Sequence, residues 1–414
     1  MNSVYVDLGA KVTEICSSLS DGGYTVKFRS FSAIDKYLRL PPLPYHWLET
    51  NADIAALARL VENLRFPGVE IADGAVNATE GTCYFRCLDT DESYVHSFPI
   101  LSFSYDWLRR CFHDPLGLYP ELKSLHKRPE TPLEKPVMPS WFIPNISGAN
   151  VGRYRIIMDG ALLLARYGPD NSIHGAPSIS ATFTQALEQC TQDLLPGPEA
   201  QRTFLNCLLV SPRPDAGLEF LKNTGLLLEL WPELSSFDDI DHSKEFHPEG
   251  NVWNHTLETF RHRKPASGGA FDLCLSLGLL LHDAGKPISA SFGSRRFDGH
   301  AELGAVAAKR FLERLQYPST MVNNVFYLVR NHMLPAALKR LPLTKTKEIM
   351  SSPLFPTLME LYRCDESSSF KGLDGYHENS AAYQAYLKHS RNPYRSADGK
   401  KMGRREMFSY NCIF

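Results

Sequence analysis

One run of residues constrains this chain more than any other. FDLCLSLGLLL (Phe271–Leu281) is almost wholly apolar and stops at His282–Asp283, followed by Ala-Gly-Lys-Pro. Such a run places an imidazole and a carboxylate at the edge of a core, where polar groups are costly unless something partners them. Neighbouring helix residues point about 100° apart, yet at a helix terminus the two can bracket one ion. Gly285 and Pro287 are expected to end the helix. Lys286, between them, offers a charge for a substrate phosphate.

Four more polar residues recur in predicted helices of the same third of the chain. His255 sits in NVWNHTLETF and His300 opens HAELGAVAAKRFLERL. His332 ends TMVNNVFYLVRNHML, and Asp365 ends LFPTLMELYRCDES. One histidine on an apolar helix is ordinarily a hydrogen-bonded core residue, and one His-Asp pair arises by chance. The ordered series His, His-Asp, His, His, Asp on consecutive helices is a different signal. Mixed imidazole and carboxylate ligands with open positions suit divalent transition metals. Such an ion lowers the pKa of bound water and polarises a phosphoryl oxygen, and ligands spread over several helices are held in place by the bundle.

Composition sets the frame. At 414 residues, 43% apolar and 22% charged, the chain has the make-up of a soluble globular protein with two or three domains. No apolar run approaches the roughly twenty residues of a membrane span, so no membrane partner is expected. The start, MNSVYVDLGAKVTE, lacks the pattern of a secretory signal. Nine scattered cysteines form no disulfide framework, and Cys83 and Cys87 read as strand residues. The expected compartment is a reducing cytoplasm. Net charge is −2, so the whole-chain field does not advertise nucleic-acid binding. Basic residues cluster locally at Lys123, Lys127 and Arg128, at Arg261, Arg263 and Lys264, and from Arg391 to Arg405; each group reads as solvated surface.

The pattern along the chain predicts an α+β protein. Residues 1–127 mix strands (Tyr24–Arg29, Val69–Ala72, Cys83–Leu88) with an amphipathic helix at Asp53–Leu64. Residues 128–147 hold five prolines and are expected to form a linker. A helical neck spans 148–238, with helices expected at Ala161–Tyr167, Ala181–Leu195, Glu199–Leu209 and Leu218–Leu230, and a break at Ser211–Gly217. An all-α domain fills 239–385, and a basic tail runs from 386 to 414.

HPEGNVWNHTLETF (247–260), LLLHDAGKP (279–287), FDGHAELGA (297–305) and LVRNHM (328–333) resemble the HD domain of bacterial tRNA nucleotidyltransferases, the CCA-adding enzymes and their poly(A) polymerase relatives. Upstream, LLVSPRPDAGLEFLKNTGLLLELWPEL (208–234) is similar to that family's neck, and FPILSFSYDWLRRCFHDPLG (98–117) and ETNADIAALARLVENLRFPG (49–68) to segments of its head. The resemblance implies a nucleotidyltransferase-like α/β head, a helical neck and a helical HD domain. It also implies a divalent metal (Mn, Ni, Co, Fe or Mg) on His255, His282, Asp283 and Asp365. His300 and His332 match positions that complete a second metal site in some HD hydrolases, so the number of ions is one or two. Asp283 and Lys286 are the expected catalytic residues.

The same resemblance exposes a gap. A transferase head needs a Gly-Gly turn after a strand, then an Asp-x-Asp pair to hold magnesium. Here SFSAIDKYLRLPP follows YTVKFR without a glycine, and Tyr45 and Trp47 stand where the carboxylates belong. Gly22–Gly23 precedes the strand, Asp89–Thr90–Asp91 reads as a turn, and RYRIIMDGALLLARYG (153–168) keeps few arginines. The expected function is therefore metal-dependent hydrolysis of nucleotide or RNA-end phosphoesters, with the head inactive and tRNA as a further partner. The alternatives are an active CCA-adding enzyme and a non-catalytic nucleotide or RNA sensor. Natural substrate, native metal and oligomeric state are not legible.

Overall fold

A computed structural model describes residues 8–41, 43, 45–63, 70–72, 75–78, 81–87, 103–125, 152–168, 181–190, 194–240, 250–266, 269–292, 297–369 and 372–391. The expected proline-rich linker, the turn at Asp89–Asp91 and the tail beyond 391 lie outside these residues. The fold is mixed α+β and mostly helical. It divides into two compact units: residues 1–232 with 264–273, and residues 233–263 with 274–414.

The first unit begins with α1 (Leu8–Asp21), β1 (Val26–Arg29), α2 (Ser30–Leu38), β2 (Tyr45–Thr50) and α3 (Ile54–Asn63). Then come β3 (Glu70–Ala72), β4 (Ala75–Ala78), β5 (Gly81–Cys87), β6 (Ser104–Asp106), β7 (Cys111–His113) and α4 (Tyr119–Leu125). The strands form one seven-stranded sheet in the order β3-β4-β5-β2-β1-β6-β7. β2 and β5 run parallel, while β1 pairs antiparallel with β2 and with β6, Lys27 lying opposite both Glu49 and Asp106. The turn from β1 into α2 is made without glycine. Ser30 takes a left-handed φ of 56°, a conformation that costs most residues roughly 1–2 kcal/mol. Its N–H donates to the carbonyl of Phe103 at 3.0 Å, which anchors the turn.

Helices follow: α5 (Arg153–Tyr167), α6 (Ala181–Glu188), α7 (Pro198–Leu209), α8 (Pro214–Asn223) and α9 (Leu226–Leu230). Three neck expectations are corrected. The helix from Ala181 stops at Glu188, and Leu194 and Leu195 are exposed coil. Pro214 does not break the chain but starts α8, where its missing N–H has no intrahelical acceptor to lose. Gly225, at φ 80°, splits the expected Leu218–Leu230 helix in two. α5 and α8 approach closely because residue 217 is glycine; a Cβ there would lie 2.7 Å from the Ala161 carbonyl oxygen. Head and neck segments share this unit through a buried pair. Arg166 Nε donates to Asp35 Oδ1 at 2.8 Å, its Nη2 to the Pro41 carbonyl, and Tyr167 Oη to Asp35 Oδ1 at 2.8 Å.

The second unit is all helical: α10 (Val252–Arg261), α11 (Leu273–Leu281), α12 (Lys286–Ser291), α13 (His300–Arg314), α14 (Ser319–Asn331), α15 (Leu343–Met350), α16 (Phe355–Ser367) and α17 (Asp374–Arg391). α11 is the central helix. Leu277, Leu279 and Leu280 have no exposed surface, and each such burial contributes about 2 kcal/mol. Gly278 lets Leu328 of α14 and Leu361 of α16 press against the α11 backbone, with methyl carbons 3.0 Å from where a Cβ would stand.

A candidate metal centre

Several helices of the second unit, at or near their ends, bring polar residues to one spot. His255 stands in α10, capped at its start by Asn251, whose side chain accepts from the Asn254 N–H. α11 ends at Leu281, so His282 and Asp283 lie in the turn that follows. Pro287 was expected to close that helix; instead it sits in the first turn of α12, which Lys286 opens. Gly285 is where α12 meets α13: a Cβ there would collide with the His300 carbonyl and the Gly304 amide, so only glycine fits. His300 is the first residue of α13, His332 caps the end of α14, and Asp365 lies in the last turn of α16.

Asp283 is the hub. Its Oδ2 lies 3.3 Å from His282 Nε2 and 3.9 Å from His255 Nε2. Its Oδ1 lies 3.7 Å from His300 Nε2 and 4.0 Å from His332 Nε2. Two ligand sets result, His255-His282-Asp283 and Asp283-His300-His332, and within each the ligand atoms lie within 4.8 Å of one another. Asp365 joins the first set, with Oδ1 3.0 Å from His255 Nε2. All six sequence-predicted ligands thus gather around one carboxylate. Lys286 Nζ is ion-paired with Asp283 Oδ2 at 2.6 Å.

The histidines are aimed by their other nitrogens. Nδ1 of His282, His300 and His332 faces the carbonyl three residues back, of Leu279, Phe297 and Val329, at 2.8, 2.8 and 2.7 Å. A carbonyl only accepts, so each Nδ1 donates and each Nε2 is turned to the centre. Ser368 Oγ, 3.3 Å from His255 Nδ1, orients the fourth ring. Sequence reasoning missed Ser368; its place three residues after Asp365 at the end of α16 was the available signal.

The Nε2 atoms therefore converge. His300 Nε2 and His332 Nε2 are 3.1 Å apart, and His282 Nε2 and His255 Nε2 3.4 Å. A shared proton is disfavoured at His332, which burial and the neighbouring His282 charge lower to a pKa of about 4. His300 is lowered too, by burial and by Lys286, against the pull of Asp283. Burial alone would raise the Asp283 carboxyl, but His282, Lys286 and His255 hold it well below the usual range. Asp365 is held low in the same way by His255 and His282. Ionised carboxylates and preoriented imidazoles are the donor set a divalent transition metal takes.

The sign of one pH effect follows. His332 has a folded pKa of about 4 against an ordinary 6.5. Between those values the unfolded chain binds a proton that the folded chain refuses. Its contribution is full above about pH 6.5 and is lost as pH falls towards about 4, by about 3 kcal/mol at most. Urea unfolding of the chelator-treated chain should show the stability dropping across this window. A flat profile would contradict the buried, neutral imidazole.

Comparison with known proteins places this geometry. The protein-family model described as HD domain matches residues 252–354, a range that holds five of the six ligands and stops short of Asp365. A CC-adding tRNA nucleotidyltransferase of Thermus thermophilus is 35% identical over 183 residues, covering 43% of this chain and 41% of that protein. An A-adding tRNA nucleotidyltransferase of Deinococcus radiodurans is 35% identical over 167 residues, 37% of each chain. A multifunctional CCA protein of Halorhodospira halophila is 32% identical over 127 residues, 30% of this chain and 29% of that one. The chain thus spans well under half the length of these curated relatives. Among solved structures, a tRNA nucleotidyltransferase complexed with a primer tRNA and an incoming ATP analog gives a TM-score of 0.43 at 12% identity, covering 92% of this chain and 99% of that one. A CCA-adding enzyme in complex with ATP gives 0.44 at 11%, covering 100% and 98%. The chain carries an HD domain and, over well under half its length, is similar in sequence to tRNA nucleotidyltransferases.

Proposed function

We propose that this chain is a metal-dependent phosphohydrolase acting on nucleotide or RNA-end phosphoesters at the HD site. The observation that carries this reading is the convergence of imidazole nitrogens on both oxygens of the buried Asp283, in two sets whose ligand atoms lie within 4.8 Å of one another. His255, His282, Asp283 and Asp365 would hold one divalent ion, and Asp283, His300 and His332 a second. Bound there, such an ion lowers the pKa of water and offsets charge on a phosphoryl oxygen. The protein's own part is positioning. Carbonyls of Leu279, Phe297 and Val329 fix three rings, Ser368 fixes the fourth, and Lys286 holds Asp283 ionised while its ammonium adds positive charge beside the bound phosphate. His300 and Asp365 keep part of their side chains exposed, 12% and 23%, and so mark the side from which substrate reaches the centre.

Incubating the purified chain with manganese, nickel or cobalt and 2′,3′-cyclic AMP should release a phosphate monoester. A metal-supplemented sample that cleaves no phosphate ester in a nucleotide and RNA-end panel would sink the reading. The head is proposed to be inactive in nucleotide addition. A phenol and an indole do not bind magnesium as paired carboxylates do, and Tyr45 and Trp47 stand in those places. Given tRNA lacking its terminal adenosine, ATP and magnesium, the chain should add nothing above background; incorporation would restore the transferase reading.

A further inference from the structure

The residues just before α13 break an ordinary backbone rule. Phe297 takes a left-handed φ of 54°, and Gly299, two positions on, one of 75°. Glycine adopts that conformation without strain, whereas a bulky side chain does not. Phe297 is half-buried, so packing of its ring recovers only part of what full burial would. Strain of this kind persists where the surroundings hold it, and it clusters at functional sites.

The contacts that hold Phe297 reach the metal centre from two sides. Its carbonyl accepts from the His300 N–H at 3.0 Å and from His300 Nδ1 at 2.8 Å. The next carbonyl, of Asp298, accepts from Ser289 Oγ at 3.1 Å, which pins this turn to α12, the helix that Lys286 opens. The Phe297 ring faces that lysine, with its centre 5.9 Å from Lys286 Nζ. The same ammonium lies 2.6 Å from Asp283 Oδ2 and keeps 12% of its side chain exposed. Lys286 thus has both a carboxylate and an aromatic face as neighbours, and the negative face of a ring attracts a cation.

The carboxylate is a poor sole anchor for that ammonium. Asp283 belongs to both candidate ligand sets, so an ion in either competes with Lys286 for its oxygens. An aromatic face stands outside that competition. We propose, on the reading of the HD site as a phosphohydrolase, that Phe297 is a positioning residue: its ring holds the Lys286 ammonium beside the substrate phosphate when the Asp283 oxygens are engaged. That role accounts for a bulky aromatic residue at a left-handed position where glycine would be unstrained.

The test uses the full chain, loaded with manganese, and two readouts. Lysines are labelled with trace acetic anhydride and quantified by peptide mass spectrometry, with Lys309 and Lys339, 49% and 63% exposed, as internal references. Phe297→Leu keeps an apolar side chain and removes the ring face. It should raise labelling of Lys286 about threefold or more against those references, and Phe297→Tyr should keep the parental ratio. Hydrolysis of 2′,3′-cyclic AMP is the second readout. Phe297→Leu should raise KM about threefold with kcat within about twofold of the parent, because the ammonium holds phosphate before and during the reaction. In a Lys286→Met background the same substitution should change nothing further. Parental labelling of Lys286 in Phe297→Leu overturns the proposal, as does a KM rise that persists in Lys286→Met. A chain that cleaves no phosphoester yet shows the labelling shift, absent in Phe297→Tyr, sinks the hydrolase reading and leaves the positioning of Lys286 standing.

Discussion

Asp283→Ala should abolish phosphoester hydrolysis and lower metal affinity by more than about a hundredfold, a loss beyond that typical of an outer-shell residue. Among the described residues, Asp283 is the one that belongs to both candidate ligand sets. Removing it leaves His255 and His282 on one side and His300 and His332 on the other without the anion between them, and leaves Lys286 without its partner. The fold should survive. The side chain is small and follows α11, and the deleted charge is one that burial penalises. Asp283→Asn is the companion variant, preserving shape while removing charge. Metal content, hydrolysis and the unfolding midpoint should be measured on the same preparations. Hydrolysis at the parental rate in either variant would remove Asp283 from the site.

Arg166→Met should destabilise the first unit by about 3–5 kcal/mol, the usual cost of stranding a buried charge. Arg166 and Asp35 have side chains 2% and 6% exposed, 2.8 Å apart. Burial already raises the Asp35 carboxyl, and only Arg166 and Tyr167 oppose it. Without the guanidinium, Asp35 keeps one phenolic hydrogen bond and loses its countercharge, and the Pro41 carbonyl loses a donor. Adding Asp35→Asn to the variant should recover part of the loss, because the penalty belongs to the unpaired carboxylate. Denaturant unfolding measures this. A single-variant loss below about 1 kcal/mol would mean that the pair does not tie α2 to α5 energetically.

Much of the site could be read from the chain because its logic is local. An apolar run that ends on His-Asp, and helices that begin or end on histidine, mark polar groups at the limits of a core. The other five residues so marked gather around Asp283. Other expectations failed for equally local reasons. Pro287 was read as a stop and Pro214 was placed inside a break that in fact ends before it, but proline in the first turn of a helix is a start. The helix from Ala181 was extended through apolar residues that are exposed coil at 194 and 195.

The sequence by itself marked the six candidate ligands and the helices beside which they lie, since residue type and periodicity are properties of short segments. Only the tertiary structure decided that one carboxylate belongs to two candidate ligand sets and that Arg166 meets Asp35 across 131 positions. These are pairings between distant segments. Periodicity tells which face of a helix is buried, not which neighbour it meets.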